Sequence, residues 1–315
     1  MQLLRCILVC VILCFSTYPC FADKTDSVPD FVAKFLEVPQ ENLSIENQYF
    51  NGFESLDDFK GFYIVPQKYM GSSTHELSGD NVKFGSSAHK AYMYGANPVI
   101  VGVNTNHRAY PSFKFSKTPI GIIKGAALVE FWVWSNIRLS DSADRNWFSL
   151  ATFSNYNDNN WYRSYLVNIN AQYIMHLMYV PNNTEDVHDI FQTTSLHFPL
   201  NQWVKVSVYI DNDSDNRFHS PLIAVWQDGV LVSAARFNPR LSLDVDLTKH
   251  IGFSLPKCLK GITTNSPVSE AEAACGLDDT GGLAQAHFGL YAAPGLSSGE
   301  IYNDDLTVSR IKTIH

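Results

Sequence analysis

The chain has 315 residues, with 23 Lys and Arg set against 31 Asp and Glu for a net charge of -8. An acidic balance of this kind excludes nucleic acid as the expected partner, and any polyanionic ligand would need a local basic patch working against the overall field. The length suffices for one large domain with a substantial core.

Residues 1–22 combine one early cation, Arg5, an apolar run from Cys6 to Phe15, and Cys20-Phe21-Ala22 with small residues where a signal peptidase cuts. The apolar run is too short to cross a bilayer and is followed by Ser16, Thr17 and Pro19. The expectation is a cleaved export signal, a secreted or periplasmic/extracellular location, and no membrane span after cleavage. Removing Arg5 leaves 22 Lys and Arg against 31 Asp and Glu, a net of -9. Cys6, Cys10, Cys14 and Cys20 leave with the signal, so Cys258 and Cys275 are the two cysteines remaining, and in an oxidising compartment they are expected to pair. In the chain-entropy account such a staple contributes about 3 kcal/mol.

Residues 23–45 are polar apart from Phe31, Val32, Phe35 and Leu36, a short amphipathic patch closed by Pro39. This reads as a leader or a docked single turn of helix ahead of one domain at 46–315. From Tyr49 onward, short runs rich in Val, Ile, Phe, Tyr and Trp alternate with Gly, Asn, Asp, Ser and Pro clusters, the pattern of an antiparallel sandwich. The expected strands are VKFGSSAHKAYMYG, HRAYPSFKFS, ALVEFWVWSN, WFSLATFSN, YRSYLVNI, YIMHLMYV, QWVKVSVYID, LIAVWQDG with VLVSAARF, AHFGLYAA and EIYNDDLTVS. Asp228-Gly229 between two alternating runs predicts a tight hairpin turn. DNDSDNR places Asp211, Asp213 and Asp215 like the opening of a calcium loop, but Asn216 and Leu222 occupy the glycine and glutamate positions, so a solvated hairpin tip is expected. Asn42, Asn182 and Asn212 begin N-x-S/T sequons.

Because a strand presents alternate residues to opposite faces, each run divides into a core set and an outward set. Arg108, Tyr110, Ser112 and Lys114 oppose Ala109, Pro111, Phe113 and Phe115. Glu130, Trp132 and Trp134 oppose Val129, Phe131 and Val133, and Lys205, Ser207 and Tyr209 oppose Val204, Val206, Val208 and Ile210. Arg163 and Tyr165 are assigned together to an outward face. A face carrying Arg, Lys, Tyr and Trp suits a glycan, whose rings expose apolar C–H surface while hydroxyls and carboxylates need hydrogen-bonding or charged groups. The other reading of the same residues is an ordinary sheet face with Trp132 and Trp134 covered by a loop.

The segment AHFGLYAAPGLSSGEIYNDDLTV at 286–308, with AVWQDGVLVSA near residue 230 and NQWVKVSVYID near residue 205, resembles the closing strands of concanavalin A-like jelly rolls. That fold is shared by laminin-G-like modules, legume lectins and several polysaccharide lyases. The resemblance implies an all-β, antiparallel two-sheet β-sandwich, and it implies polysaccharide or another glycan as partner, bound on the concave sheet. Within it the glycan-binding set is Trp132, Trp134, Glu130, Arg163, Tyr165 and Lys205, and recognition without catalysis is expected through one face containing Arg108, Tyr110, Trp132, Trp134 and Arg163. A polysaccharide lyase that cleaves a uronic-acid polymer by β-elimination stands beside simple glycan recognition, and a structural or protein-interaction laminin-G-like module is the third class. In the lyase reading Arg108 meets the carboxylate, His287 or His176 is the base, and Tyr291 or Tyr110 the acid. The alginate-lyase signatures of the fold are partly echoed: HFGLY lacks a lysine and HLMYV lacks a preceding glutamine. No Glu-x-Asp-x-x-Glu accompanies Glu130, which argues against a retaining glycosidase.

FNGFESLDDF resembles the first strand of jelly-roll carbohydrate-binding modules, where an early Glu and a late Asp meet. Here these are Glu54 with Asp304 or Asp305, and one structural calcium ion is the cofactor that resemblance implies.

Overall fold

The computed structural model describes residues 27–59, 62–63, 72–101, 103–139, 146–154, 164–180, 189–191, 194–212, 222–236 and 282–314. Residues 1–22, expected as an export signal, Arg163, the sequon at Asn182, residues 213–221, expected as a hairpin tip, and both Cys258 and Cys275 lie outside the described residues.

Two antiparallel sheets face each other. The first contains β1 (Leu43–Asn51), β3 (Ser73–Ser78), β4 (Ala88–Met93), β7 (Ala126–Ser135), β12 (Val204–Asp211), β13 (Leu222–Gln227), β14 (Val230–Arg236) and β16 (Gly299–Thr313). The second contains β2 (Phe62–Tyr63), β5 (His107–Ala109), β6 (Ser112–Lys114), β8 (Phe148–Ser154), β9 (Ser164–Ile169), β10 (Met175–Val180), β11 (Asp189–Phe191) and β15 (Gln285–Ala292). Their orders are β14-β13-β12-β7-β16-β4-β3, with β1 also on β16, and β11-β10-β9-β8-β15-β6-β2, with β5 also on β15. Both sheets are thus assembled by crossovers, as in a jelly roll, and the antiparallel two-sheet sandwich expected from the alternation is the architecture observed.

Alternation places the core. Ala127, Val129, Phe131 and Val133 of β7 and the four apolar residues of β12 point inward, meeting Phe148, Leu150, Ala151 and Phe153 of β8 and Ala286, Phe288 and Leu290 of β15. Phe288 contacts Phe131 of the facing sheet at 5.2 Å between ring centroids, tying the sheets together, and Phe153 on the neighbouring strand of its own sheet at 5.9 Å. Asp228 and Gly229 have φ of 49° and 78°, the left-handed pair that the β13–β14 hairpin requires, and Asp228 Oδ1 accepts the Lys205 amide at 2.9 Å.

The N-terminal patch is a docked helix, α1 (Asp30–Leu36). Phe31 and Phe35 lie 5.2 and 5.3 Å from the buried ring of Trp226, and Val28, Val32, Leu128, Tyr209 and Trp226 form a second core on the outer face of the first sheet. β1 begins at Leu43 opposite Thr313. The packed body therefore starts ahead of residue 46, and most of the segment expected as a leader belongs to it.

Two further expectations are corrected. HRAYPSFKFS is two strands, because Pro111 has no N–H to continue the ladder, although both pieces pair with β15. Tyr165 points inward, 1% exposed and stacked on Tyr179 at 5.1 Å, while Leu166 and Asn168 take the outward positions. The swap follows from strand parity: Val167 and Ile169 are core residues, so Tyr165 must be one as well.

Candidate functional site

β15 sits at the middle of the second sheet and carries the site. Its core parity is Ala286, Phe288, Leu290 and Ala292, which leaves His287 and Tyr291 on the outer face. Tyr291 stands opposite Arg108 of β5 and His287 opposite Ser112 of β6, so the Tyr110-Pro111 break brings Tyr110 between them. The Tyr110 ring stacks on the His287 imidazole at 3.9 Å with an interplanar angle of 22°, and it meets Tyr291 edge-on at 6.5 Å. The Arg108 guanidinium lies 5.4 Å from the Tyr291 ring centroid. Four of the five residues expected to carry elimination chemistry are thus gathered on one face.

A bulge makes this possible. Between Phe288 and Tyr291 the register of β15 against β8 shifts, and Gly289 takes φ of 124°. A Cβ at Gly289 would fall 2.7 Å from the Ala109 carbonyl oxygen and 2.8 Å from Cε1 of His89, so glycine is required both by conformation and by space. Burial, and then the Arg108 charge, hold the His287 imidazole well below its ordinary pKa, so it is neutral at neutral pH.

His176 does not join the cluster. The register runs Arg108, Tyr291, Ser149, Asn168, His176 across five strands. That row puts His176 three strands from Tyr291, roughly 14 Å at the usual strand spacing. It is buried, its Nδ1 is 3.3 Å from the Ile174 carbonyl, and burial lowers its pKa.

Asn104, Asn106 and Trp147, none of them among the residues expected from the sequence, complete the surroundings of Tyr291. Asn106 Nδ2 donates to the Tyr291 hydroxyl at 2.9 Å, Asn104 Nδ2 does so at 3.4 Å, and the Trp147 ring lies 5.1 Å from that of Tyr291. The signal was present: Asn104 and Asn106 continue upstream the parity of Arg108 and Tyr110, beyond the point where the strand itself begins.

The aromatic set of the first sheet lies on the opposite side of the sandwich. Trp132 is covered by Lys83, whose Nζ is 4.0 Å from the ring centroid, and by Phe84 at 6.0 Å. Trp134 meets Tyr302 edge-on at 5.4 Å. Glu130 is buried, accepting from Lys205 Nζ at 2.9 Å and Ser207 Oγ at 3.0 Å, so neither charge of that pair is available to a ligand at no cost. The single face expected to unite Arg108 and Tyr110 with Trp132 and Trp134 is therefore two faces, since inward parity on each sheet sends its polar residues away from the other sheet.

Glu54, Asp304 and Asp305 do meet at one corner. Asp304 Oδ2 accepts the Lys83 and Phe84 amides at 2.8 and 3.1 Å, and its Oδ1 accepts that of Asp305 at 2.9 Å. Glu54 Oε2 accepts from the Ser86 and Ser87 amides and the Ser86 hydroxyl. Burial pushes Asp304 up to about 7, and burial with the Glu54 charge pushes Asp305 up to about 6. Among the described residues, no three His, Cys, Asp or Glu converge in metal-binding geometry, and of these carboxylates Asp305 Oδ2 is buried without a hydrogen-bond partner. Two of the three carboxylates thus clamp the β3–β4 loop through its amides, and a hard cation would find only Asp305 open.

No protein-family model matches the sequence, and no curated protein matches it significantly. Among solved structures, the chain is similar to the cellulose-induced protein Cip1, with TM-score 0.49, 14% identity, and coverage of 82% of this chain and 96% of that one. It is similar to an endo-β-1,4-glucuronan lyase from the fungus Trichoderma reesei, with TM-score 0.48, 14% identity, and 83% and 94% coverage. The globular domain of T. cruzi calreticulin follows with TM-score 0.46, 13% identity, and 83% and 87% coverage. At such identities the likeness concerns the course of the chain alone.

Proposed function

We propose that this protein is an exported polysaccharide-acting protein whose site is the outer face of β5 and β15, and that it cleaves a uronic-acid polymer by β-elimination. The observation that carries the reading is the meeting of Arg108, Tyr110, His287 and Tyr291 on one sheet face around a glycine bulge. In this reading Arg108 pairs with the uronate carboxylate and stabilises the charge that develops as the adjacent C–H is broken. Neutral His287, stacked on Tyr110, takes that C5 proton. The C4–O bond then breaks, its electrons leave with the oxygen, the C4=C5 double bond forms, and Tyr291 gives its proton to the leaving oxygen.

The test is ultraviolet absorbance of the unsaturated uronate on a panel of alginate, glucuronan, heparin-like and chondroitin-like polymers. Activity on one of them, lost in both His287→Ala and Tyr291→Phe while circular dichroism stays native, is the expected result. Inactivity on the whole panel with glycan binding retained would replace elimination by recognition at the same face. Absence of any glycan binding would leave a structural or protein-interaction module.

A further inference from the structure

Tyr291 can serve as an acid only if its hydroxyl proton is not already given to a neighbour. The phenol is held by the connection between β4 and β5. Asn104 Oδ1 accepts the Asn106 amide at 3.2 Å, which fixes the orientation of the Asn104 side-chain amide and turns its Nδ2 toward the Tyr291 oxygen. Asn106 Nδ2 adds a second donor at 2.9 Å. With two N–H groups directed at the phenol oxygen, its acceptor capacity is taken up, and its own O–H is left to donate.

The segment bearing these amides is anchored at its base. Buried Asn97 donates its side-chain amide to the Thr105 carbonyl at 2.8 Å and its backbone amide to the Pro294 carbonyl at 2.8 Å, joining the segment to the chain just past β15. Asn104, Asn106 and Tyr291 are all half-buried, so the hydrogen bonds sit at the edge of the site and not deep in the core.

We infer that Asn106 and Asn104 are positioning residues that hold the Tyr291 hydroxyl as a proton donor, so that Tyr291 is the group that protonates the leaving oxygen. The inference rests on the elimination reading above and adds to it the residues that set the direction of the proton. Neither asparagine touches the reacting bond; each acts through Tyr291.

Asn106→Asp tests it, because the side chain keeps its shape but becomes an acceptor, which captures the phenol proton. On the polymer that the wild type cleaves, kcat should fall on the order of 10- to 100-fold with KM within about twofold, because general-acid transfer is impaired while binding is not. Asn106→Ser, which restores a donor, should recover part of kcat. In labelled protein, Tyr291→Phe should shift the side-chain amide signals of Asn104 and Asn106 and leave that of Asn97 in place. A wild type that eliminates while Asn106→Asp keeps its kcat, or loses only KM, overturns the positioning role and leaves the elimination reading standing. A wild type inactive on every polymer overturns both, and amide signals indifferent to Tyr291→Phe overturn the hydrogen bonds themselves.

Discussion

Buried carboxylates and buried histidines act on stability in opposite directions here. Asp304 and Asp305 are pushed up to about 7 and about 6, so the folded state prefers them protonated, and stability rises as pH falls from 8 through those values toward the unfolded value of about 3.8. His89 and His287 are held well below 6.5 by burial, with the His75 and Arg108 charges respectively as second causes. Their folded state prefers the neutral form, so stability is lost as pH falls below about 6.5. Thermal unfolding in calcium-free buffer should therefore show a maximum near about pH 6. In Asp304→Asn the rise between pH 8 and 6 should shrink, since Asp304 is the group that titrates inside that window; an unchanged rise would remove the buried-carboxylate account. Because two of the three carboxylates at this corner are held by backbone amides, millimolar calcium should leave Tm unchanged at pH 8 and at pH 5 alike. A calcium-dependent rise at pH 8 would show that the implied ion binds there after all.

At the scale of elements, the bulge in β15 is where conformation and chemistry meet. Gly289→Ala places a methyl against the Ala109 carbonyl and the His89 ring at a positive φ, so it combines steric overlap with backbone strain. A loss of about 3 kcal/mol is expected in urea unfolding. Gly295→Ala is the control: nothing lies within 4 Å of its added Cβ, and it should change stability by less than about 0.5 kcal/mol. Equal effects from the two would show that the His89 contact is looser than described. Because the bulge lies between His287 and Tyr291, a folded Gly289→Ala protein should also lose activity beyond its loss of stability.

Across the whole molecule, the two polar faces point in opposite directions. Trp132→Ala should therefore leave polymer turnover unchanged while removing the Lys83 and Phe84 contacts above it. A drop in kcat in a folded Trp132→Ala protein would contradict the placement of the site on the second sheet. The division of labour between sequence and structure has the same physical origin. Alternation with period two is local, so β7 to β10, β12 to β16, the Asp228-Gly229 turn, the inward Phe131 and the outward pairs Arg108 with Tyr110 and His287 with Tyr291 were legible in the chain, whereas β1 and β3 were not among the expected strands. Which of two sheets a strand joins is decided by crossovers between distant segments, and no local pattern carries it. That is why Arg108 and Trp132 looked like parts of one surface, why His176 looked as near to Tyr291 as His287, and why Asn104 and Asn106 gained a role only once β5 paired with β15. The parity of β9 was fixed by packing as well: Tyr165 has the polarity of a surface residue by sequence, but Val167 and Ile169 commit that side of the strand to the core. Which side chains share a strand face follows from backbone pleat and is written residue by residue along the chain; which faces meet follows from long-range pairing, which exists only once distant strands have come together.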